Sequence, residues 1–211
     1  MKIAYHRLSR LLSMQEKNLT VGNATAYALK GRRFKMEDRF NIIKNEKTGI
    51  NLLLFLMGME SKKKNDVAGS TALVALQHKN KLVVANVGDS RGVMCDYKGN
   101  AIPLSFDHKP QTVSEHKRII KAGGFVSIFE GAWRVAGCLA VSRALGNYPL
   151  KADNLVSAEP DVTTFDLDVF KPQFMILATD GLWDKFRNEE AVIFVRSRRV
   201  KLGSQLCSHW Q

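Results

Sequence analysis

The sequence predicts an antiparallel α+β domain, on three observations. Short apolar runs of strand length, separated by turn residues, dominate the chain between Leu19 and Leu104. Helical patterning is concentrated in two later stretches, beginning at Thr112 and Asn188, so helices enter between blocks of strand instead of alternating with them. The run Phe174–Thr179 is mostly apolar on both faces, as a buried strand would be.

Taken in order, the first fourteen residues carry Lys2, Arg7 and Arg10 and no acid, and polar residues interrupt every apolar stretch. That pattern suits a short N-terminal helix better than a targeting signal. Leu19–Leu29 alternates small and apolar residues and suits one strand. In Gly31–Phe40, basic residues flank the adjacent acids Glu37 and Asp38, and Phe40, Ile42 and Ile43 extend a strand beyond them. Neighbours on a strand point to opposite faces, so at most one of the two acids would face a given site directly. Ile50–Met57 reads as a central strand, and Gly58–Asp66 as a polar, basic linker. Ser70–Gln77, Lys81–Val87, Val93–Cys95 and Ala101–Leu104 follow as an antiparallel meander, with a turn at Tyr97–Asn100.

From Thr112 the period changes. Thr112 and Glu115 form a capping-box pattern, Ile119 and Ile120 supply an apolar face, and Gly123 with Gly124 stop the helix. The strand Phe174–Thr179 is bounded by Lys171 and Pro172 and ends on Asp180, where Gly181 lets the backbone turn away. Two readings of Asp180 stand at this point, a turn cap and a carboxylate delivered to a site at the sheet edge. Asn188 caps the last helix, whose first turn holds Glu189 and Glu190 and whose buried stripe is Val192, Phe194 and Val195.

The 211 residues suffice for one domain or most of a larger one, and 45% hydrophobic with 25% charged residues is ordinary globular composition. The net charge of +12 is not ordinary, and it favours acidic partners or a solvated basic surface. No aromatic platform or finger accompanies the charges, so a nucleic-acid-binding protein ranks last among the functions weighed. Cys95, Cys138 and Cys207 are odd in number and widely spaced, which indicates neither a disulfide framework nor a zinc site. The expected setting is a reducing one, cytoplasmic or nuclear and not secreted. The longest apolar run, Leu52–Met57, is far too short to span a bilayer, so no transmembrane segment is expected.

Several chemical motifs are partly present. Gly88–Gly92, GDSRG, spells the nucleophile elbow of serine hydrolases, but a strand follows it where a helix is required, and no oxyanion-hole loop occurs. The alternative is a tight bend whose Asp89 and Arg91 make local polar contacts. The strand ending in Asp180 also resembles the one that places Mg²⁺ in nucleotide hydrolases, yet no phosphate-cradling glycine loop exists. Asp38, Asp107 and Asp180, all at ends or edges of strand-like runs, are better read as oxygen ligands for hard cations held directly.

The order of seven segments then carries a resemblance. RRFKMED at 32–38, AGST at 68–71, NVGDSRG at 86–92, DHKP at 107–110, AGGF at 122–125, LAVSRALGN at 139–147 and FMILATDGLWD at 174–184 resemble the signature of the type 2C metal-dependent protein phosphatases. The wording is similar to the protein phosphatase 1-like branch. The resemblance implies an antiparallel β-sandwich flanked by helices, in αββα layers. It implies hydrolysis of phosphoserine and phosphothreonine proteins at a dinuclear Mn²⁺ or Mg²⁺ centre, with Asp38 and Asp180 as metal ligands and Glu37 holding a metal-bound water. It further implies that Arg33 binds the substrate phosphate and that Asp107 and Asp184 serve a weaker third metal.

The departures set the domain reading. Residues 1–23 form an N-terminal extension, 24–196 the phosphatase-like domain, and 197–211 a divergent basic tail. After Leu52–Met57 the family's Asp-Gly-His-Gly-Gly motif is replaced by Gly58, Met59, Glu60 and the lysine linker, so an internal segment near 58–66 is missing. The closing Asp-Asn strand is absent as well. Two core carboxylates where the family has four would leave surplus positive charge around two dications. Impaired hydrolysis is therefore the expectation, a non-catalytic phosphatase-like binding module the alternative, and uncovered apolar faces the structural consequence.

Overall fold

The computed structural model describes residues 16–21, 24–29, 38–58 and 68–207. Strands β1 (Glu16–Val21) and β2 (Ala24–Leu29) pair antiparallel, with Val21 opposite Ala24. Where the sequence predicts one strand there are thus two, and their mutual pairing satisfies backbone groups that a single strand would leave open. Strands β3 (Asp38–Asn45), β4 (Ile50–Gly58), β5 (Gly69–His78) and β6 (Lys81–Val87) then run as an antiparallel meander, of which β5 and β6 belong to the meander the sequence predicts on to Leu104.

The meander stops at Val87. Strands β7 (Arg91–Cys95) and β8 (Ala101–Pro103) pair with each other but belong to a second sheet. The change of sheet happens at Gly88, whose φ is +106° and whose missing Cβ would lie 2.5 Å from Thr71 Cγ2. A side chain fits neither that backbone conformation nor that space.

Helix α1 (Val113–Lys121) leads to the hairpin of β9 (Val126–Phe129) and β10 (Ala132–Val135), then to β11 (Leu145–Gly146), which pairs with the start of β5. Helix α2 (Tyr148–Ala152) precedes β12 (Asp161–Asp166), which lies antiparallel to β6 and gives the large sheet the order β12-β6-β5-β4-β3. The short helix α3 (Leu167–Phe170) turns the chain into β13 (Phe174–Ala178), which pairs with β7 to order the second sheet β13-β7-β8. Helices α4 (Asp180–Trp183) and α5 (Asn188–Cys207) complete the described chain, and α5 runs well past the predicted stripe at Val192 and Val195.

Alternation along the strands sorts the core. Leu53, Phe55, Leu73, Ala75, Leu82, Val84 and Phe165 of the large sheet pack against Met94, Met175 and Leu177 of the small one. The other face of the small sheet, with Val93, Cys95, Phe174 and Ile176, packs against Trp183, Ala191, Val192 and Val195. β13 is therefore buried on both faces, as its sequence predicts. A third cluster joins Ile119 of α1 to Val135, Val141, Ala144, Leu155 and Val156. The result is an antiparallel sandwich with helices beside it, the predicted α+β class.

The two faces of the large sheet differ. The inward face is the core just described, whereas Leu52, Leu54, Leu56, Val74 and Leu76 on the outward face stay partly exposed. At its margins Ile43 is 49% and Val162 60% exposed, so this face carries exposed apolar surface. Among the described residues no helix is long and apolar enough to cross a membrane. The two faces should respond differently to substitution. Leu73→Ala is expected to cost about 2–5 kcal/mol in urea unfolding, while Val162→Lys should change stability by no more than about 0.5 kcal/mol.

Candidate functional site

The tight turn after β6 gathers the charged residues. Gly88 donates its N–H to His108 Nδ1 at 3.0 Å, and the His108 N–H returns to the Gly88 carbonyl at 2.9 Å. This double stitch sets Asp89, Ser90 and Arg91 on one segment beside Asp107 and Lys109 on the other. Ser90 is fully buried, its Oγ 2.8 Å from Thr71 Oγ1, and the next element is strand β7. Ser90 thus lacks the exposure and the helix that a nucleophile elbow needs.

Arg91 is the centre of the polar contacts. Its Nε and Nη2 donate to the two oxygens of Asp107 at 2.8 and 2.7 Å, and its Nη1 donates to Asn188 Oδ1 at 3.0 Å. The guanidinium also stands 5.3 Å from the Trp183 ring centre, and Trp183 Nε1 donates to the Arg91 carbonyl at 2.9 Å. The hydrogen-bonded Asp107 carboxylate, outweighing burial, holds the Arg91 pKa above its ordinary value. These contacts are not the local ones the sequence suggests, since Asp107 and Asn188 come from distant segments. Together they fix the start of α5 and the end of α4 to the start of β7. A cleft of about 470 Å³ opens there, lined by Arg91, Trp183, Asp184 and Arg187 among others.

Lys109 Nζ donates to Asp89 Oδ2, and Asp89 is only 3% exposed. Burial pulls the Lys109 pKa down, but Asp89, with Asp107 and Asp180 further off, more than reverses it and leaves it raised. Asp180 sits half-buried at the first position of α4, with its Oδ1 shut off from solvent. Asp184 follows one turn later, its N–H donating to the Asp180 carbonyl at 2.8 Å, and is exposed.

A second ionic network braces the Asp107–Lys109 segment from behind. Glu115, 3% exposed, accepts from Arg143 at 2.7 and 3.1 Å and from Arg118 at 3.0 Å. Arg143 Nη1 also donates to Asp161 Oδ1 at 2.8 Å, and Asp161 Oδ2 lies 3.1 Å from His108 Nε2. Thr112 occupies the N-cap position of α1 without a side-chain cap, so the predicted capping box does not form. Glu115 turns inward because two guanidinium partners outweigh one backbone N–H. Burial raises the Glu115 pKa, but the hydrogen bonds from Arg143 and Arg118 overcome it and bring it to about 2.

Of the residues predicted for the site, the structure brings Asp107, Asp180 and Asp184 to one end of the sandwich. Asp38 opens β3 opposite Met57, and its side chain lies outside the described set. Arg33 and Glu37 are outside the described residues altogether. Asp89, Lys109 and Asn188 were not singled out as site residues, although GDSRG and DHKP supplied the words that contain the first two.

Residues 52–208 match the family profile of Protein phosphatase 2C. The chain belongs to the protein phosphatase 2C family. It is 63% identical over 133 residues to protein phosphatase 1L of Bos taurus, a match covering 63% of this chain and 37% of that protein. It is 52% identical over 129 residues to probable protein phosphatase 2C 71 of Arabidopsis thaliana, covering 61% and 28%. The chain thus spans well under half the length of these relatives. Among solved structures, a Caenorhabditis elegans sex determining protein aligns with a TM-score of 0.71 at 21% identity over 87% of this chain and 55% of that one. A serine-threonine phosphatase 2C from Toxoplasma gondii aligns at 0.68 and 22%, over 80% and 81%.

The family's chemistry is metal-dependent, and the residues answer one by one to that requirement. Asp180 and Asp184 offer hard carboxylate oxygens on successive turns, the donor type a divalent cation takes. Asp107 does not suit it as placed, because both its oxygens are held by Arg91. Among the described residues no group of three His, Cys, Asp or Glu is arranged to hold a metal.

Two outcomes follow from these contacts. Arg91→Lys, which keeps the charge but loses the fork, should lower stability by about 1–3 kcal/mol in urea unfolding. Glu115 has a depressed folded pKa, so its contribution is complete above pH 4.5 and is lost as pH falls toward about 2. The contribution is about 3 kcal/mol. Melting temperature should therefore fall more steeply across that window for the wild type than for Glu115→Gln, and equal slopes would contradict the assignment.

Proposed function

We propose that this chain is a metal-dependent phosphatase domain acting on phosphoserine and phosphothreonine proteins, with hydrolysis weakened relative to the family. The observation that carries the reading is the delivery of Asp180, at the end of β13, to the turn where Asp89, Arg91, Asp107 and Lys109 meet. Asp180 and Asp184, with Asp38, would hold Mn²⁺ or Mg²⁺, and Arg33 would grip the substrate phosphate as a fork. A bound dication supplies an activated water and offsets charge on the phosphoryl oxygens. The protein's own part is to hold Asp180 and Asp184 in place. Arg91 fixes the loop that carries Asp107, and the turn from β13 into α4 sets Asp180 and Asp184 on successive turns.

Weakening follows from the same contacts. Asp107 is committed to Arg91, and the ammonium of Lys109 lies among the acids that a metal would share. That observation also favours a second reading, retention of phosphoproteins without turnover. The exposed thiol of Cys138 supports a reducing, cytoplasmic or nuclear setting.

Phosphate release from phosphoserine and phosphothreonine peptides, measured across a Mn²⁺ titration, tests the reading. Slow, Mn²⁺-dependent release is expected, falling at least about tenfold in Asp180→Asn as a ligand is lost. Release that survives that substitution would refute the role of Asp180. Absence of release combined with retention of the phosphopeptide on the protein would favour the binding module.

A further inference from the structure

We infer that the outward face of the large sheet is a self-association surface, and that the partner it fits is a second copy of this chain, packed sheet against sheet.

The register of the strands β12-β6-β5-β4-β3 sets out what that face presents. Reading across it, Leu54, Val74, Ala85 and Val162 form one row, which ends on Asn41. The neighbouring row is Ile43, Leu52, Leu76 and Val83, and it ends on Thr164. None of these residues belongs to the three buried clusters. No charged side chain interrupts either row, although the chain as a whole carries a net charge of +12. In the row beyond Val83 and Thr164, Lys81 and Asp166 neutralise each other at 2.8 Å.

Size, composition and charge together select a second copy as the occupant. Strands about 4.8 Å apart, with outward side chains about 6.8 Å apart along each, give a face of about 24 by 24 Å. Two such faces bury about 1,200 Å² in total, the lower end of what a specific, stable interface needs. The rows hold aliphatic side chains and no aromatic residue or arginine, which is the make-up of a core cut in half and the pattern of homodimers. Partners met transiently are anchored by Tyr, Trp and Arg instead. Two identical twisted sheets stack about 10 Å apart with strand directions within about 30° of each other, so the face complements itself in shape. Uncharged rows also let two strongly cationic chains meet without burying like charges. Leu54 and Val74, opposite each other in the register, lie at the centre of the contact, and the more exposed Ile43 and Val162 lie at its rim, where a contact carries little energy.

Sedimentation velocity of the whole chain across a concentration series tests this. The wild type is expected to sediment as a dimer in reversible exchange with monomer. Leu54→Lys puts an unpaired charge at the centre of the contact in both copies, and should raise the dissociation constant at least about a hundredfold. Val74→Thr keeps the side-chain shape and the strand preference, and should weaken the dimer about tenfold by burying two unpaired hydroxyls. It carries the test should the lysine variant fail to fold. Ile193→Lys changes a side chain 65% exposed on α5, the helix that packs beyond the small sheet, and should leave the dissociation constant unaltered. A dimer weakened by the substitutions on the sheet and not by the one on α5 supports the inference. A wild type still monomeric at about 100 μM, well above the micromolar limit for an interface of this size, overturns it and leaves the face to a different protein or to other residues of the same chain. A dimer that Leu54→Lys and Val74→Thr leave intact, or that Ile193→Lys weakens equally, overturns it as well.

Discussion

Everything at the candidate site depends on one tight turn. Gly88 adopts a backbone that a side chain would not, and Thr71 fills the place a Cβ would take, so the chain leaves β6 in one sheet and enters β7 in the other almost at once. β7 then serves as the template for β13, and β13 ends by delivering Asp180 back to the same turn. His108 locks the turn from the other side through both its backbone N–H and its ring. Acids and cations from three distant segments meet here because the crossover leaves them no other place.

What the sequence made legible is what burial writes locally. β3 to β6 and β13 carry apolar runs of strand length, and α1 and α5 begin where helical spacing begins. Asp180, Asp107 and Asp184 were readable as carboxylates at strand ends and in family motifs. β12 was not readable, because along DVTTFD only Phe165 is buried and an edge strand needs little apolar pattern. The change of sheet was hidden too, since alternation tells which face a residue takes and not which strand lies beside it. Glu115 shows the same limit in one residue. Its spacing from Thr112 fits a local cap, but Arg143, far along the chain, offers the stronger partner. The Asp89–Lys109 pair was hidden because its weight comes from burial, which spacing does not encode.

The two faces of the large sheet are treated differently by the fold. Its inward face is sealed by the small sheet, which is in turn sealed by α5, so three layers close on themselves. The outward face has aliphatic rows of the same kind, and the stretch between β4 and β5 in this sequence is polar and lysine-rich, with no apolar stripe to offer it.

Charge pairing explains how the acids at this turn are held together. Among the described residues, both oxygens of Asp107 accept from Arg91, and Asp89 accepts from Lys109. Acids gathered at one turn repel one another, and these two protein cations offset part of that repulsion from within the fold.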